Sequence, residues 1–306
     1  MEEMNFPLVS IITINYNHSE VTVECLESLR KITYPNIETI VIDNASPNDD
    51  AGFLKTDFPE IQYFELEENL GFAGGNNYGI RKAKGEYILL LNNDTIVEPD
   101  FLEPLVQKLQ SDPSIGGVSP KIRYHHTPNM LQFAGFTEIH HMTVRNHAVG
   151  FNQIDNGQFN DDSLTYFVHG AAMLIPMKVI KEVGLMADIY FLYYEELDWG
   201  FRIRQSGYKL YYVHNSLIYH KESVSTGFFS PLQVYYLNRS RILYSRRNIK
   251  GMKFLISFIY LLFAAIPKNY LFFMLKKNGL FKAYHNAIKW HIANAFNKSI
   301  HKSPTL

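Results

Sequence analysis

The chain opens with short apolar runs that alternate with amphipathic ones. Leu8–Ile14 is β-branched and apolar except at Ser10 and Thr13, and polar residues bound it, which predicts a buried strand. Glu20–Lys31 carries Val23, Leu26 and Leu29 at helical spacing. Ile37–Ile42, Ile61–Leu66 and Tyr87–Leu91 read as further strands, with a short polar helix over Gly74–Lys84. Glu98–Ser111 reads as a helix with Pro99 just inside its start and Pro113 beyond its end. Short buried strands alternating with helices predict an α/β fold, a doubly wound and largely parallel sheet with flanking helices. Residues 125–165 are irregular, and the pairs His125-His126 and His140-His141 read as surface loop rather than metal ligands. Regular structure resumes at Tyr166–Ile175, followed by a helix over Glu195–Ser206 and strands over Tyr208–Val213 and Leu217–His220. Leu232–Arg247 is a basic, aromatic helix.

In such sheets ligands bind beyond the carboxyl ends of the strands. The four early strands end in Asn15-Tyr16-Asn17, Asp43-Asn44-Ala45-Ser46, Glu68-Asn69-Leu70-Gly71 and Asn92-Asn93-Asp94. Any one of these suits a turn. Four in succession on one rim predict a ligand crevice.

Charge is divided sharply along the chain. The net charge is −1, yet every acidic residue lies at or before Glu222. Residues 223–306 carry +13 and the first 222 carry −14. A boundary near residue 228 follows: an acidic globular domain over 1–228 and a basic helical segment over 229–306. That segment contains the apolar run Phe254–Ile266, then Pro267, a second run Tyr270–Leu275, and Lys276-Lys277. Apolar runs flanked by lysines favour an anionic membrane surface over nucleic acid. The first run is 13 residues, short of the roughly 20 that span a bilayer, and Pro267 interrupts it. Peripheral attachment is the expectation. The single cysteine, Cys25, forms no internal disulfide, falls in an apolar helical pattern and fits a reducing compartment. No secretory signal is read in the acidic start, so the expected location is cytoplasmic, on the inner face of the cell membrane.

Several residues carry candidate chemistry. Asp94, directly after a buried strand, suits a hard divalent ion such as Mg²⁺ or Mn²⁺, or else caps the next helix. Asp43 can accept hydrogen bonds from a base or ribose, with Asn44 and Ser46 holding the turn. The loop Asn69–Asn77 is glycine-rich and opens a helix, which favours anions, but it matches neither G-x-G-x-x-G nor a P-loop. In Tyr193-Tyr194-Glu195-Glu196-Leu197-Asp198 three carboxylates crowd, which raises their pKa toward the range of a general base. Asp198 can instead pair with Arg202 at i+4. Glu195 and Glu196 point about 100° apart, so only one faces the crevice. His220, ending its strand, is a metal ligand, a diphosphate contact or a core imidazole.

In order, VSIITINYN, VIDNAS, ENLGFAGGNN, LLLNNDT and FLYYEELDWGFRIRQSGYKLYYV, then Ile218-Tyr219-His220, resemble the inverting GT-A-fold glycosyltransferases of the large family that includes bacterial rhamnosyltransferases and galactofuranosyltransferases. The match runs from about Leu8 to His220. The resemblance implies a nucleotide-diphosphate-sugar donor, a glycan or lipid-linked acceptor and a divalent metal, Mg²⁺ or Mn²⁺. It implies that Thr13, Asn15, Tyr16, Asp43, Asn44, Asn69, Gly71, Phe72, Asn76, Asn77, Asn92 and Asn93 form or order the donor pocket. Asp94 takes the last position of the family's Asp-x-Asp motif, with Asn92 in place of the first acid, and His220 completes the metal and diphosphate site. Glu196 falls at the base position, a Glu where the family usually has Asp. Glu195 is in reserve and Asp198 completes the acidic block. His169, Gly170 and Ala171 resemble the acceptor side. The mechanism implied is one direct displacement that inverts the anomeric carbon. A sugar-nucleotide pyrophosphorylase would need a glycine- and arginine-rich loop after the first strand, which Asn15-Tyr16-Asn17-His18 lacks. A non-catalytic membrane scaffold is the other alternative.

Overall fold

The computed structural model describes residues 6–221, 230–274 and 277–306. Elements in order are β1 (Val9–Asn15), α1 (Ser19–Leu29), β2 (Ile37–Asp43), α2 (Leu54–Asp57), β3 (Ile61–Glu65), α3 (Gly71–Lys82), β4 (Tyr87–Leu91), β5 (Thr95–Val97) and α4 (Leu102–Ser111). Then come β6 (Ile115–Tyr124), β7 (Met130–Phe133), β8 (Gln153–Ile154), β9 (Ser163–Thr165), β10 (Ala172–Pro176), α5 (Met177–Val183), α6 (Glu195–Gln205) and β11 (Lys209–His220). Three helices close the chain: α7 (Pro231–Asn248), α8 (Gly251–Met274) and α9 (Asn278–Ala293).

The main path of the sheet is β3-β2-β1-β4-β10-β6-β11-β5. The β3-β2-β1-β4 half is entirely parallel, as the strand–helix alternation predicts. Antiparallel β10 joins it to β6, which pairs in parallel with β11. Successive strand residues enter opposite layers because strand side chains alternate. Val9, Ile11, Val41, Leu89 and Leu91 pack with Cys25, Leu26 and Leu29 of α1 and Leu102, Leu105 and Leu109 of α4. Ile12, Ile40, Ile42, Ile88 and Leu90 pack on the other face with Ile80, Val179, Ile180, Trp199 and Ile203. Cys25 is a core residue, its thiol pushed up to about 12 by burial.

Several sequence-based boundaries move. The helix expected from Glu98 begins at Leu102, because the Pro99 carbonyl is held by the backbone N–H of Thr33. β6 escaped the reading because Gly116, Gly117 and Pro120 interrupt its apolar pattern, and both residue types are depleted in strands. The two strands expected over Tyr208–Val213 and Leu217–His220 are one strand with a bulge between Val213 and Leu217.

Pro267 does not end the apolar helix; α8 runs through it to Met274. Among the described residues, no helix is long and apolar enough to cross a membrane. The expected domain boundary at residue 228/229, and the Leu275-Lys276 end of the second apolar run, lie outside the described residues. α7 packs directly against the sheet domain. Ile242, Leu243, Tyr244, Leu261 and Ile300 share one core with Phe167, Tyr190, Tyr194 and Leu197.

Candidate active site

The carboxyl ends of the parallel strands carry a continuous polar network. Asn15 Nδ2 donates to Asp43 Oδ2 at 2.8 Å and to Asp49 Oδ2 at 3.2 Å. Ser46 donates to Asp43 through its backbone N–H at 2.9 Å and its hydroxyl at 2.8 Å. Asp49 accepts from Ser19 N and Oγ at 2.7 and 2.6 Å. Burial works against its charge, but these donors win and hold its carboxyl below the usual range. Asp43, Ser46, Asp49, Asp50, Tyr63 and Glu65 line a cleft of about 430 Å³. In the other direction Thr22 Oγ1 donates to Asn15 Oδ1 at 2.8 Å, and Asn93 Nδ2 to Thr22 Oγ1 at 2.9 Å. The network thus reaches the neighbour of Asp94. Thr13 is buried two residues before Asn15, and its Oγ1 has no partner among the described residues. Tyr16 and Asn92 sit half-buried on the same rim.

Four of the asparagines expected in the donor pocket have their amides engaged by the fold. Asn44 bonds Asn69 Oδ1 at 3.0 Å, Gly71 O at 3.1 Å and Leu70 N at 2.9 Å, and Asn69 Oδ1 also accepts from Gly71 N at 2.8 Å. Asn76 bonds Phe72 O one helical turn back. Asn77, fully buried, bonds both backbone groups of Met186 and the Asp188 carboxylate. Asn44 and Asn77 thus have both amide atoms bonded within the fold, and Asn69 and Asn76 one each.

Gly71 has a φ of +70°, and a Cβ there would stand 2.3 Å from Phe191 O. The same carbonyl accepts from Phe72 N at 2.7 Å. Only glycine allows this approach. It docks the Asn69–Asn77 loop on the segment before α6, where Phe191, Tyr193 and Tyr194 all have positive φ. Non-glycine residues rarely adopt this conformation, and it persists only where surroundings enforce it. The enforcement comes from α7. Arg239 donates to Ile189 O at 2.5 Å and to Tyr190 O, Ser240 Oγ to Leu192 O at 2.9 Å, and the Tyr236 ring stacks on Phe191 at 4.9 Å.

The strained segment delivers the acidic block, and its members separate cleanly. Asp198 is fully buried and ion-paired to Arg202 and Arg247. Tyr190 and Asn248 donate to it as well. Burial penalises its charge, but the guanidiniums outweigh this and hold its carboxyl below the usual range. Its expected place among the catalytic carboxylates is therefore corrected: its oxygens are satisfied by the fold, and it faces the core. Glu195 is buried, with Oε2 unpartnered among the described residues. Burial and the neighbouring Glu196 charge push its carboxyl well up. Glu196 is half-buried, and burial raises its carboxyl to about 7. A Cβ on Gly170 would stand 3.9 Å from Glu196 Cγ and 4.0 Å from the tip of the Phe72 ring. Glu196, Gly170 and Phe72 therefore meet.

Next to them, His220 Nε2 lies 3.0 Å from Asp94 Oδ1. The two atoms are not aligned as a hydrogen bond, and neither has another partner among the described residues. His220 Nδ1 is 2.8 Å from Gln132 Oε1. Gln132 Oε1 can only accept there, so Nδ1 donates to it and Nε2 is the ring atom turned toward Asp94. Asp94 Oδ1 and His220 Nε2, with no other partner among the described residues, form a donor set that fits a divalent ion whose other ligands come from phosphate and water. Burial opposes the Asp94 charge, but His220 and Lys221 hold its carboxyl below the usual range. Among the described residues no group of three or more His, Cys, Asp or Glu could hold a metal by itself.

The His169 ring lies 6.3 Å from that of His220 and stacks on Phe136. Its Nδ1 accepts from Ala171 N at 3.0 Å, and burial lowers its pKa to about 3, so it is neutral. Asn92 N donates to Ala171 O at 2.9 Å. Hydrogen bonds thus run from Asp43 through Asn15 and Thr22 to Asn93, the neighbour of Asp94, and Asp94 lies against His220, whose ring is edge-on to that of His169. Sequence reading missed Ser19, Thr22, Asp49, Gln132 and Asp188. Each is a lone polar residue outside any motif, and only the folded positions give it a partner.

Residues 10–184 match the family Glycosyl transferase family 2. The glycosyltransferase GlyG of Streptococcus pneumoniae is 36% identical over 34% of this chain and 35% of its own length. The low-salt glycan biosynthesis hexosyltransferase of Haloferax volcanii is 26% identical over 78% of this chain and 75% of its own. The chain thus spans about a third of the first relative and three-quarters of the second. Among solved structures, the mannosyltransferase PcManGT of Pyrobaculum calidifontis, in complex with GDP-Man and Mn²⁺, superposes with a TM-score of 0.58 at 16% identity, over 95% of this chain and 76% of that one. GalNAc-T7 with UDP, GalNAc and Mn²⁺ gives 0.62 at 16% identity, over 96% of this chain and 59% of that one. At these identities the likeness concerns the fold, which is GT-A.

Proposed function

The chain belongs to glycosyl transferase family 2, and on that premise we propose that it transfers a sugar from a nucleotide-diphosphate sugar to a glycan or lipid-linked acceptor, inverting the anomeric carbon in one displacement. The observation that carries this reading is the half-buried Glu196, with a carboxyl near 7, beside the unpartnered Asp94–His220 pair. The Asp43 cleft receives the nucleoside. A divalent ion, Mg²⁺ or the Mn²⁺ found with both solved neighbours, would be held by Asp94 and His220. When bound, it neutralises the charge that develops on the departing diphosphate. Glu196 accepts the proton of the acceptor hydroxyl as that oxygen attacks. His169, Gly170 and Ala171 flank the acceptor, with Gly170 leaving room in front of Glu196. Glu195, buried beside Glu196, is the reserve candidate for the base. Holding the hydroxyl in line with the anomeric carbon supplies much of the acceleration.

The branch whose motifs the chain resembles suggests deoxythymidine-diphosphate rhamnose as the first donor to try. Attachment to the inner face of the cell membrane is part of the same reading. Met252, Leu255, Ile256, Ile259 and Phe263 form an exposed apolar stripe along α8 at helical spacing, in a segment without a single acid. Thermal-shift titration with a panel of nucleotide sugars, with and without Mn²⁺, tests the donor. Stabilisation by one of them that needs the metal is expected. No shift with any nucleoside diphosphate would sink the proposal.

A further inference from the structure

A small cavity opens between the loop that carries Arg145 and helices α7, α8 and α9. Its volume is about 130 Å³, and Arg145, Asn238, Arg241, Tyr260 and Tyr284 supply its polar lining. That is several times the ~30 Å³ of one water and far below the roughly 300 Å³ and more of a nucleotide-sized pocket. Every one of these side chains can donate a hydrogen bond, and none is acidic.

The two guanidiniums are uncompensated. None of the ion pairs among the described residues involves Arg145 or Arg241. Arg241 is buried and donates through Nε, at 2.8 Å, and through Nη2 to a single backbone carbonyl, that of Thr143. Its Nη1 donates to no described residue, and the exposed Arg145 side chain donates to none either. Like charge and burial both depress the Arg241 pKa, burial most. Arg241 is a buried cation with no counter-ion, and the exposed Arg145 lines the same cavity, so an anion entering from solvent would be held by both. Arginine forks match phosphate geometry.

We propose that the Arg145–Arg241 cavity binds a phosphate group, that of a membrane lipid or of a lipid-linked acceptor lying along α8. Two wall residues, Tyr260 and Leu261, belong to α8, next to the exposed Ile256, Ile259 and Phe263. An acyl chain on that stripe would bring its phosphate to the arginines. The opposite wall leads to the catalytic segment, since the Tyr194 hydroxyl donates to Val144 O at 2.7 Å, directly before Arg145 and directly before Glu195. A bound phosphate would therefore steady the backbone that presents Glu196. The lipid source rests on the membrane reading given above; the phosphate site itself does not.

The test uses the full chain, phosphatidylcholine vesicles with and without phosphatidic acid, and inorganic phosphate. Arg145→Gln removes one cation from an exposed position, where folding is not at risk. Lys289→Gln, on the exposed face of α9, is the charge-matched control. Arg241→Lys keeps the charge but loses the fork. Arg145→Gln and Arg241→Lys should each weaken binding to phosphatidic-acid vesicles about tenfold, the loss of one charge-assisted hydrogen bond, while Lys289→Gln changes it less than about twofold. Equal losses in Arg145→Gln and Lys289→Gln would mean diffuse surface charge, and would overturn the proposal. If no vesicle binds but inorganic phosphate stabilises the wild type and not Arg145→Gln, the phosphate site stands and the membrane reading fails. If neither phosphate source responds to Arg145, the site is refuted.

Discussion

Arg247 Nε lies 2.8 Å from Asp198 Oδ1, joining the last turn of α7 to the first turn of α6 across 49 residues of chain. Asp198 is wholly buried and Arg247 nearly so. The same guanidinium also donates to the carbonyls of Ile300 and Lys302 and to Ser303 Oγ at 2.8 Å. One side chain thus ties α6, α7 and the Ile300–Ser303 segment together.

Removing it should be expensive. Arg247→Met leaves the Asp198 charge buried with Arg202 as its only ion-pair partner among the described residues, a situation that costs about 3–5 kcal/mol. Denaturant melts of the variant should show that loss. A change below about 1 kcal/mol would mean the pair contributes little.

The pH profile should follow Glu196. Its carboxyl is raised to about 7, so the folded state binds this proton more tightly than the unfolded chain does. Its contribution to stability is therefore greatest below about 4.5, falls as pH rises to about 7, and is level above. Activity runs the other way, because the base must be ionised. The rate should rise with pH up to about 7 and then flatten. Glu196→Gln should lower kcat by about 10²- to 10⁴-fold and leave nucleotide affinity nearly unchanged. Survival of activity there, with loss in Glu195→Gln, would exchange the two roles.

The tautomer lock on His220 predicts an effect of a residue that touches no substrate. Gln132→Leu removes the acceptor for the Nδ1 proton and should weaken Mn²⁺ activation about 10- to 100-fold. Asp94→Ala should weaken donor binding only when metal is present. Metal titrations of donor affinity distinguish the two, and an unchanged metal dependence in Asp94→Ala removes that residue from the site.

Gly71→Ala should separate the donor loop from the catalytic segment, since the new Cβ would fall 2.3 Å from the Phe191 carbonyl at a φ of +70°. A cost of about 1–3 kcal/mol in stability is expected, with weaker donor binding measured by calorimetry. Wild-type values for both would show that the loop accommodates the methyl group freely.

The parallel half of the sheet was legible because its strands are short apolar runs bounded by polar turns, a pattern set by alternate burial on two faces. The half containing β6 and β10 was less so. Gly116, Gly117 and Pro120 hide β6 from any propensity argument, and only pairing with β11 makes it a strand. Strand-end positions flagged Asp43 and Asp94 correctly as rim residues. The same reasoning placed Asn44 on that rim, although its amide is taken up by the Asn69–Gly71 loop.

The sequence by itself determined the kind of protein: an alternating sheet, polar groups at four strand ends, an acidic block before a helix, and a basic, apolar terminus. These are local properties, carried by spacing and composition. The tertiary structure alone decided the surroundings of each carboxylate. Glu195, Glu196 and Asp198 are chemically near-identical in the chain. Their protonation depends on burial and on partners such as Arg247 that come within reach only when distant segments pack.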